Sequence, residues 1–377
     1  MTNRVIIVLM VDGLRARALG AYGNTWYSTP SLDALASEAT LFDRVLAESN
    51  QLGDVYDSIW TGQHRLSPAT TESMHLIEQL RSEGYLCHLV TDEPELAERE
   101  DLDHFDEAIV LNPAPAEEAD DVMDCGLAST LVAAADQLGE WSAEYEQPRL
   151  LWIHLRGLLS PWDAPRELAE SLLGEEDPPL ESSVEVPEQA VADSDEAADL
   201  VLHTAVRYAG QVMALDAAVG AVDSLVAELW PETPVEFVLA GTRGYALGEH
   251  GWLGIDAAAA HRELFQVPLI IRGSQVAAMR RESALLQSSD LYALLLELSK
   301  SGSLPTLSRE QASGCTNDSR FVETNEWSYV AGWPAEGEIS GELYVHPDDQ
   351  WQANNVTTIC TDESAVLASL LTETADK

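Results

Sequence analysis

Short apolar runs that end in polar residues or glycine recur along the chain, with helical patterns between them. Each run has the length of a strand but lacks a polar alternate face, which indicates strands buried on both faces. Between the runs, residues 199–230 place apolar side chains mostly three or four positions apart, as a helix with an apolar stripe does. The alternation predicts an α/β fold whose large, mainly parallel (mixed) sheet is flanked by helices. The predicted strands are 5–11, 86–91, 150–155, 235–240 and 267–271.

One predicted helix has a clear start. Thr29 is suited to the cap position, and Pro30 is favoured at the first helical position because its missing N–H is not needed there.

The pattern of apolar residues changes after about Pro305, where short strand-like pieces precede a helix around residues 364–371. A chain of 377 residues is also longer than one small core requires. We therefore predict an α/β domain over residues 1–305 and a small C-terminal α+β subdomain over residues 306–377.

The segment from 175 to 199 contains ten acidic residues, three prolines and no basic residue. Such a composition buries too little apolar surface to offset the entropy of ordering the chain. We predict a mobile surface loop, with a partner-binding segment as the alternative.

The charge balance limits the partners of the protein. The chain has 65 Asp and Glu residues against 20 Lys and Arg, a formal net charge of -45. Nucleic acids and anionic membranes would be repelled and are excluded as partners. The composition fits either a salt-adapted surface or simply a very soluble protein. It identifies no partner, and homo-oligomer formation stays open.

The cysteines and the first apolar run indicate where in the cell the protein is expected. Cys87, Cys125, Cys315 and Cys360 lie far apart without a CxxC pair, so neither a metal cluster nor a disulfide framework is predicted. The first apolar run is too short to span a bilayer, and no signal-peptide cleavage site follows it. We therefore expect a cytoplasmic protein.

An Asp-Gly pair, Asp12 and Gly13, follows the first predicted strand. Open α/β sheets bind ligands beyond the carboxyl ends of their strands, so Asp12 is a candidate site residue. Taken alone, the pair favours a structural role in which Asp12 caps the next turn.

Several segments, in the same order and over almost the whole chain, resemble the sulfatase family of the alkaline phosphatase superfamily. The first two contain Asp12 and the Thr-Pro helix start, and the last resembles the C-terminal subdomain of the family. These segments are 5–15 (VIIVLMVDGLR), 29–35 (TPSLDAL), 58–62 (SIWTG), 150–165 (LLWIHLRGLLSPWDAP), 208–220, 247–251 (LGEHG), 267–272 (VPLIIR) and 342–355.

The resemblance implies a sulfatase fold and a specific chemistry. In this family a formylglycine, made from the Cys or Ser that opens a Cys-x-Pro-Ser-Arg motif, attacks the ester. A divalent cation, usually calcium, is held by two Asp after the first strand and by an Asp-Asn or Asp-His pair after a later one. Lysines and histidines complete the sulfate pocket, since an anionic ester needs concentrated positive charge.

The nucleophile position is lost by this comparison. Counting back from Thr61 and Gly62, it falls on Leu52, which cannot become a formylglycine or attack an ester. The proline position of the motif is Asp54, and the position of its arginine is Tyr56. No catalytic residue is therefore predicted.

The metal ligands are mostly lost too. Asp12 is kept, but Gly13 replaces the second Asp of the first pair. The Asp-His pair of the later strand is replaced by Thr242 and Arg243. We predict no metal and no other cofactor, although the family would imply calcium.

The lysines and histidines that the family comparison expects in the sulfate pocket are also absent. The expected lysine and histidine of the Gly-Lys-Trp-His stretch fall on Asp92 and Pro94, and the histidine before Pro161 is Leu159. The stretch 251–263 contains no lysine.

Two substitutions have specific structural interpretations. A guanidinium at Arg243 would replace the charge of the metal by pairing with Asp12, unless it points to solvent. His250 lies between glycines in a Gly-Glu-His-Gly loop, which favours a requirement of backbone shape over a ligand role.

Three functions remain open from the sequence. The first is a pseudoenzyme that keeps the sulfatase fold for binding or regulation. The second is a sulfate or phosphate ester hydrolase with a rearranged site at Asp12, Asp54, Thr242 and His250. The third is a protein whose acidic segment and C-terminal subdomain mediate oligomer formation.

Overall fold

An eight-stranded sheet forms the centre of the structure, a computed structural model that describes residues 4–67, 74–112, 117–143, 147–192, 194–333 and 341–373. A four-stranded antiparallel sheet and a small three-stranded sheet accompany it. The strands are β1 (Val5–Val11), β2 (Thr40–Leu46), β3 (Leu86–Thr91), β4 (Glu107–Val110), β5 (Arg149–Leu155), β6 (Gln189–Ala190), β7 (Val235–Gly241), β8 (Ala246–Leu247), β9 (Trp252–Gly254), β10 (Gln266–Arg272), β11 (Arg280–Gln287), β12 (Gln311–Cys315), β13 (Ser319–Thr324), β14 (Trp327–Gly332) and β15 (Gly341–Val345).

Ten α-helices accompany the strands in the described part of the chain, and short 3-10 turns connect several of the elements. The helices are α1 (Pro30–Ser37), α2 (Leu52–Thr61), α3 (Leu76–Ser82), α4 (Pro94–Ala97), α5 (Gly126–Ala143), α6 (Arg166–Glu170), α7 (Asp195–Leu229), α8 (Arg262–Phe265), α9 (Asp290–Ser301) and α10 (Thr361–Glu373).

The central sheet has the order β11-β2-β10-β7-β1-β5-β3-β4. Only the two pairings of β10, with β2 and with β7, are antiparallel. The predicted large, mainly parallel sheet is therefore confirmed. All five predicted strands are present, each within one residue of its predicted bounds.

Strand β1 shows why these runs are apolar throughout. Val5, Ile7, Leu9 and Val11 face the core that includes α1, α5 and α7. Ile6, Val8 and Met10 face the opposite core, which includes α2, α3 and α9. Fully burying an aliphatic side chain of this size contributes about 1.5–3 kcal/mol, so a polar residue on either face would be costly.

Helix α1 begins at Pro30 as predicted, but Thr29 does not cap it with its side chain. The Thr29 hydroxyl accepts a hydrogen bond from the Gly20 N–H at 2.9 Å instead. The free N–H groups of Ser31 and Leu32 donate to the carboxylate of Asp216 on α7, at 3.2 and 2.8 Å. Because this cap comes from a distant helix, the local sequence could not indicate it.

The C-terminal subdomain consists of the sheet β12-β13-β14-β15 and helix α10, whose apolar side chains pack together. This confirms the small α+β unit. The predicted boundary near Pro305 falls between α9 and β12. That boundary stays a prediction.

The acidic segment 175–199 is not loop throughout. Its last five residues belong to α7, and β6 lies inside it and pairs with β9. The carboxylate of Glu188 accepts hydrogen bonds from the Trp252 indole and from the backbone of Ile255 and Asp256, at 2.7–3.0 Å. The mobility of the rest of the segment stays a prediction.

Within the described residues, no helix has both the length and the apolar character needed to cross a bilayer.

Candidate functional site

The candidate site lies beyond the carboxyl ends of two neighbouring strands. Strands β1 and β7 are parallel and in register, with Val11 opposite Gly241. Asp12 and Thr242 follow these two residues directly, so the register places them side by side. The end of β5 lies on the other side of β1, with His154 opposite Met10.

Arg243 binds Asp12 through two parallel hydrogen bonds. Its Nε and Nη2 atoms donate to Oδ1 and Oδ2 of Asp12, each at 2.9 Å. The other terminal nitrogen, Nη1, donates to the backbone carbonyl of Asn50 at 2.6 Å, and the Thr242 hydroxyl donates to Asp12 Oδ1 at 2.6 Å. The Asp12 side chain is 0% exposed and that of Arg243 10% exposed. The guanidinium is therefore internal and does not point to solvent.

The pair is ionised at neutral pH. Burial alone would raise the pKa of Asp12, but the charge and hydrogen bonds of Arg243 hold it below its usual value. Burial would lower the pKa of Arg243, but the charge and hydrogen bonds of Asp12 raise it above its usual value.

Apolar and aromatic side chains occupy the nucleophile region. Leu52 is the first residue of α2 and is 1% exposed. One turn later Tyr56 is fully buried between Trp60 and His154, and its hydroxyl lies 2.7 Å from His154 Nδ1. A packed aromatic group thus occupies the position that the family comparison assigns to an arginine.

Two positions for which the family comparison expects polar residues lie next to each other. Gly13 has a φ of 76°, and a Cβ atom placed on it would lie 2.9 Å from the Cγ atom of Leu159. Leu159 is the residue at the expected histidine position. A carboxylate side chain at position 13 would therefore collide with the leucine and would be strained in this backbone conformation.

The other acidic residues near the site have their own partners. Asp54 accepts from the Ser49 hydroxyl at 2.8 Å and pairs with Arg65 at 2.7 Å. Asp92 accepts from the backbone N–H of Arg156 at 2.8 Å, and burial raises the pKa of its carboxyl group. Pro94 opens helix α4. No described ion pair or hydrogen bond joins Asp54 or Asp92 to Asp12.

His250 forms its hydrogen bonds with residues other than Asp12. Its Nδ1 lies 2.9 Å from a Glu263 carboxylate oxygen, and its Nε2 lies 3.0 Å from the carbonyl oxygen of Gln352 in the C-terminal subdomain. Its ring stacks on His261 with centroids 3.6 Å apart, and its φ is 51°. Burial would lower the pKa of His250, but Glu263 and the carbonyl raise it to about 9. The protonated ring donates from both nitrogens.

The sequence comparison did not name Glu93, and it predicted only packing and hydrogen bonding at a strand end for His154. One ligand atom from each, with one from Asp12, forms a group whose members lie within 4.8 Å of one another. The His154 Nε2 atom is buried without a hydrogen-bond partner among the described residues. Burial lowers the pKa of His154 to about 4, so the ring is neutral. The only signal in the sequence was the position of His154 near the end of a strand that pairs with β1.

A second group of potential ligands, His75, Asp101 and His104, lies apart from the strand ends. His75 precedes α3, and its ring stacks on that of His104 with centroids 4.1 Å apart. The hydrogen bond from His75 is the main reason why the pKa of Asp101 is lowered to about 2. Burial alone would raise this pKa.

The donors around Asp12 do not suit calcium, which takes six to eight oxygen ligands. Both Asp12 oxygens already accept from Arg243, and His154 offers a nitrogen. Glu93 is paired with Arg156 at 3.3 Å. A cation at this position would also face the guanidinium directly.

The family match rests on sequence over most of the chain. Residues 4–301 match the family described as Sulfatase. The chain belongs to the sulfatase family. No curated protein has a significantly similar sequence.

Solved structures of sulfatase-family character share the fold at low sequence identity. The phosphonate monoester hydrolase of Agrobacterium radiobacter superposes with a TM-score of 0.76 at 16% identity, covering 99% of this chain and 95% of that chain. The phosphonate monoester hydrolase from Silicibacter pomeroyi gives 0.70 at 17% identity, with 99% and 94% coverage. A 2-O GAG sulfatase gives 0.70 at 16% identity, with 100% and 93% coverage.

Removing Arg243 tests the importance of its pair with Asp12. Breaking a buried ion pair by deleting one partner typically costs roughly 3–5 kcal/mol, because the other charge stays buried and uncompensated. Arg243→Ala should therefore lower the melting temperature clearly, and adding Asp12→Ala should recover part of the loss. A double-mutant cycle measured by thermal and urea unfolding reports the coupling. Arg81→Ala, which breaks an exposed pair, is the control and should change little. Simple additivity of the Arg243 and Asp12 effects would refute the interpretation.

The raised pKa of His250 predicts a pH-dependent contribution to stability. A group with a raised folded-state pKa stabilises fully below its ordinary pKa of 6.5, and this contribution is lost as pH rises through about 9. The gap in melting temperature between the wild type and His250→Asn, which tolerates the positive φ, should shrink over that range. Thermal melts at several pH values measure the gap. In a Glu263→Gln background the pH dependence should weaken, and an unchanged gap from pH 6.5 to 9.5 would contradict the assignment.

Proposed function

We propose that this sulfatase-family protein is a pseudoenzyme, which keeps the fold for a binding or regulatory role and does not hydrolyse sulfate esters. The observation that carries the proposal is the bidentate Arg243–Asp12 pair at the place where the family comparison expects the metal. Each nitrogen of this guanidinium already donates within the protein, and its charge is compensated by the Asp12 carboxylate, so little of that charge is left for an anionic ester.

The nucleophile argument supports the same conclusion. Covalent catalysis needs a nucleophile activated by a neighbouring base or by a lowered pKa. Leu52 offers neither, and the Thr242 hydroxyl donates to Asp12. His154, the nearest histidine, is neutral and has its Nδ1 atom engaged by Tyr56. The hydroxyl that contacts His154 belongs to Tyr56, which is fully buried, and burial raises its pKa, so it is not an activated nucleophile.

The local charges also oppose an anionic substrate. Asp12 and Glu93 contribute carboxylates close to one another. Two like charges about 4 Å apart repel by about 4 kcal/mol at an effective dielectric of 20. The guanidinium of Arg243 compensates Asp12 and leaves no excess of positive charge for a sulfate or phosphate group.

A hydrolase with a rearranged site is the second candidate, and the contacts give it little support. The four residues that it would use belong to three separate groups of contacts. Thr242 binds Asp12, Asp54 binds Ser49 and Arg65, and His250 binds Glu263 and the C-terminal subdomain. The proposal of oligomer formation has no specific contact to support it.

Metal analysis and activity assays test the pseudoenzyme proposal directly. We expect no stoichiometric calcium in the purified protein and no change of melting temperature on adding calcium or a chelator. We also expect no turnover of chromogenic aryl sulfates, phosphate monoesters or phosphonate monoesters. Asp12→Ala serves as the matched variant, since any residual background must be the same in both proteins. Stoichiometric calcium, or turnover that disappears in Asp12→Ala, would overturn the proposal.

A further inference from the structure

A cavity of about 350 Å³ lies at the junction of the central sheet and the C-terminal subdomain. Its walls come from the turn after β1, from β2 and β11, from α8, and from residues of the C-terminal sheet and the segment after it. It shares no residue with the group around Asp12. The lining residues used below are Arg17, Asp43, Arg44, Arg262, Arg281 and Gln350.

Four of the 18 arginines of the chain line this one cavity, although the protein as a whole is strongly acidic. They come from four separate parts of the sequence, so the fold brings them together. In a chain with so few cations, this concentration contrasts with the charge of the rest of the molecule.

Two carboxylates balance three of these arginines. Arg281 pairs with Asp43. Arg44 and Arg262 share the buried Glu323 beneath the cavity, at 3.1 and 3.4 Å. Burial would raise the pKa of Glu323. The neighbouring arginines and His346 outweigh this effect and lower the pKa to about 2. One carboxylate thus serves two guanidinium groups.

Arg17 adds a fourth positive charge without a carboxylate of its own. Within the described part of the chain, no Asp or Glu oxygen lies within 4.0 Å of its guanidinium. Its Nη2 atom donates to the side-chain and backbone oxygens of Gln350, at 2.6 and 3.3 Å, and its guanidinium lies 4.0 Å from the centre of the Trp351 ring. Burial, and then the charges of Arg262 and Arg15, lower the pKa of Arg17 to about 10.

We propose that this cavity binds a compact polyanion, a small molecule that bears phosphate or carboxylate groups. Guanidinium groups bind both kinds of oxyanion through paired hydrogen bonds, and a surplus of positive charge inside a concave surface concentrates anions there. The cavity volume admits a small organic anion, whereas the acidic surface around it repels a nucleic acid or a membrane.

The bound anion joins two parts of the fold. Arg17, Arg44 and Arg281 belong to the α/β body, while Asn325, His346 and Gln350 belong to the C-terminal subdomain. An anion held between them stabilises their contact, which gives the protein a way to respond to a small molecule. This inference stands whether or not the Asp12 site has lost its chemistry, because the two sites share no residue.

Calorimetry with pyrophosphate and with citrate, each at ionic strength matched by sodium chloride, tests the proposal. We expect saturable binding of at least one of the two anions and a rise in melting temperature that chloride does not reproduce. Preference for pyrophosphate identifies a phosphate ligand, and preference for citrate a carboxylate ligand. An equal response to chloride at the same ionic strength overturns the proposal.

Two variants locate the binding in this cavity. Arg281→Gln removes a guanidinium whose side chain is 56% exposed, so folding should persist. Arg17→Gln removes the unbalanced charge. Each should weaken binding about tenfold or more, as expected for the loss of a charge-assisted hydrogen bond. Arg81→Gln, which removes the same charge from a different surface, should bind like the wild type. Equal losses in all three variants, or unchanged affinity in Arg281→Gln, would refute the assignment.

Discussion

The hydrogen bonds of Arg243 connect three segments that are far apart in the sequence. Two of them fix the carboxylate that ends β1, and the third fixes the backbone just before α2, while Arg243 itself follows β7. A buried carboxylate must be compensated, and a metal ion or a side-chain cation can each provide the charge. Here the cation is covalently part of the chain. The charge of Asp12 is therefore compensated by a side chain of the same protein.

The other substitutions are consistent with that exchange. Once Arg243 compensates Asp12, a second carboxylate at position 13 would be an unpaired buried charge, and the glycine there leaves room for Leu159. On α2, Leu52 and Tyr56 are buried in an apolar cluster. The family comparison expects polar groups at these two positions. Around the buried ion pair, the side chains of α2 are packed as in a protein core.

The features that the sequence predicted are those determined by local patterns. The strands followed from continuous apolar runs, whereas the contact between Asp12 and Arg243 was expected from the resemblance to the sulfatase family, which places both residues at the metal site. The features that it missed depend on side chains that meet across long separations. Asp216 caps α1 from α7, and His250 binds the C-terminal subdomain through Gln352. Neither interaction leaves a periodic or composition signal in the segments that it joins.

The distribution of the arginines also follows from the acidic composition. An exposed arginine gains little from pairing with one more solvent-screened carboxylate, whereas an arginine beside a buried carboxylate compensates a charge that would otherwise be costly. Asp12, Glu236 and Glu323 are such carboxylates, and each is paired with arginine. At Glu323 two arginines meet one carboxylate at the junction with the C-terminal subdomain. A local surplus of positive charge therefore arises where the fold needs its cations most, inside a molecule that is otherwise strongly negative.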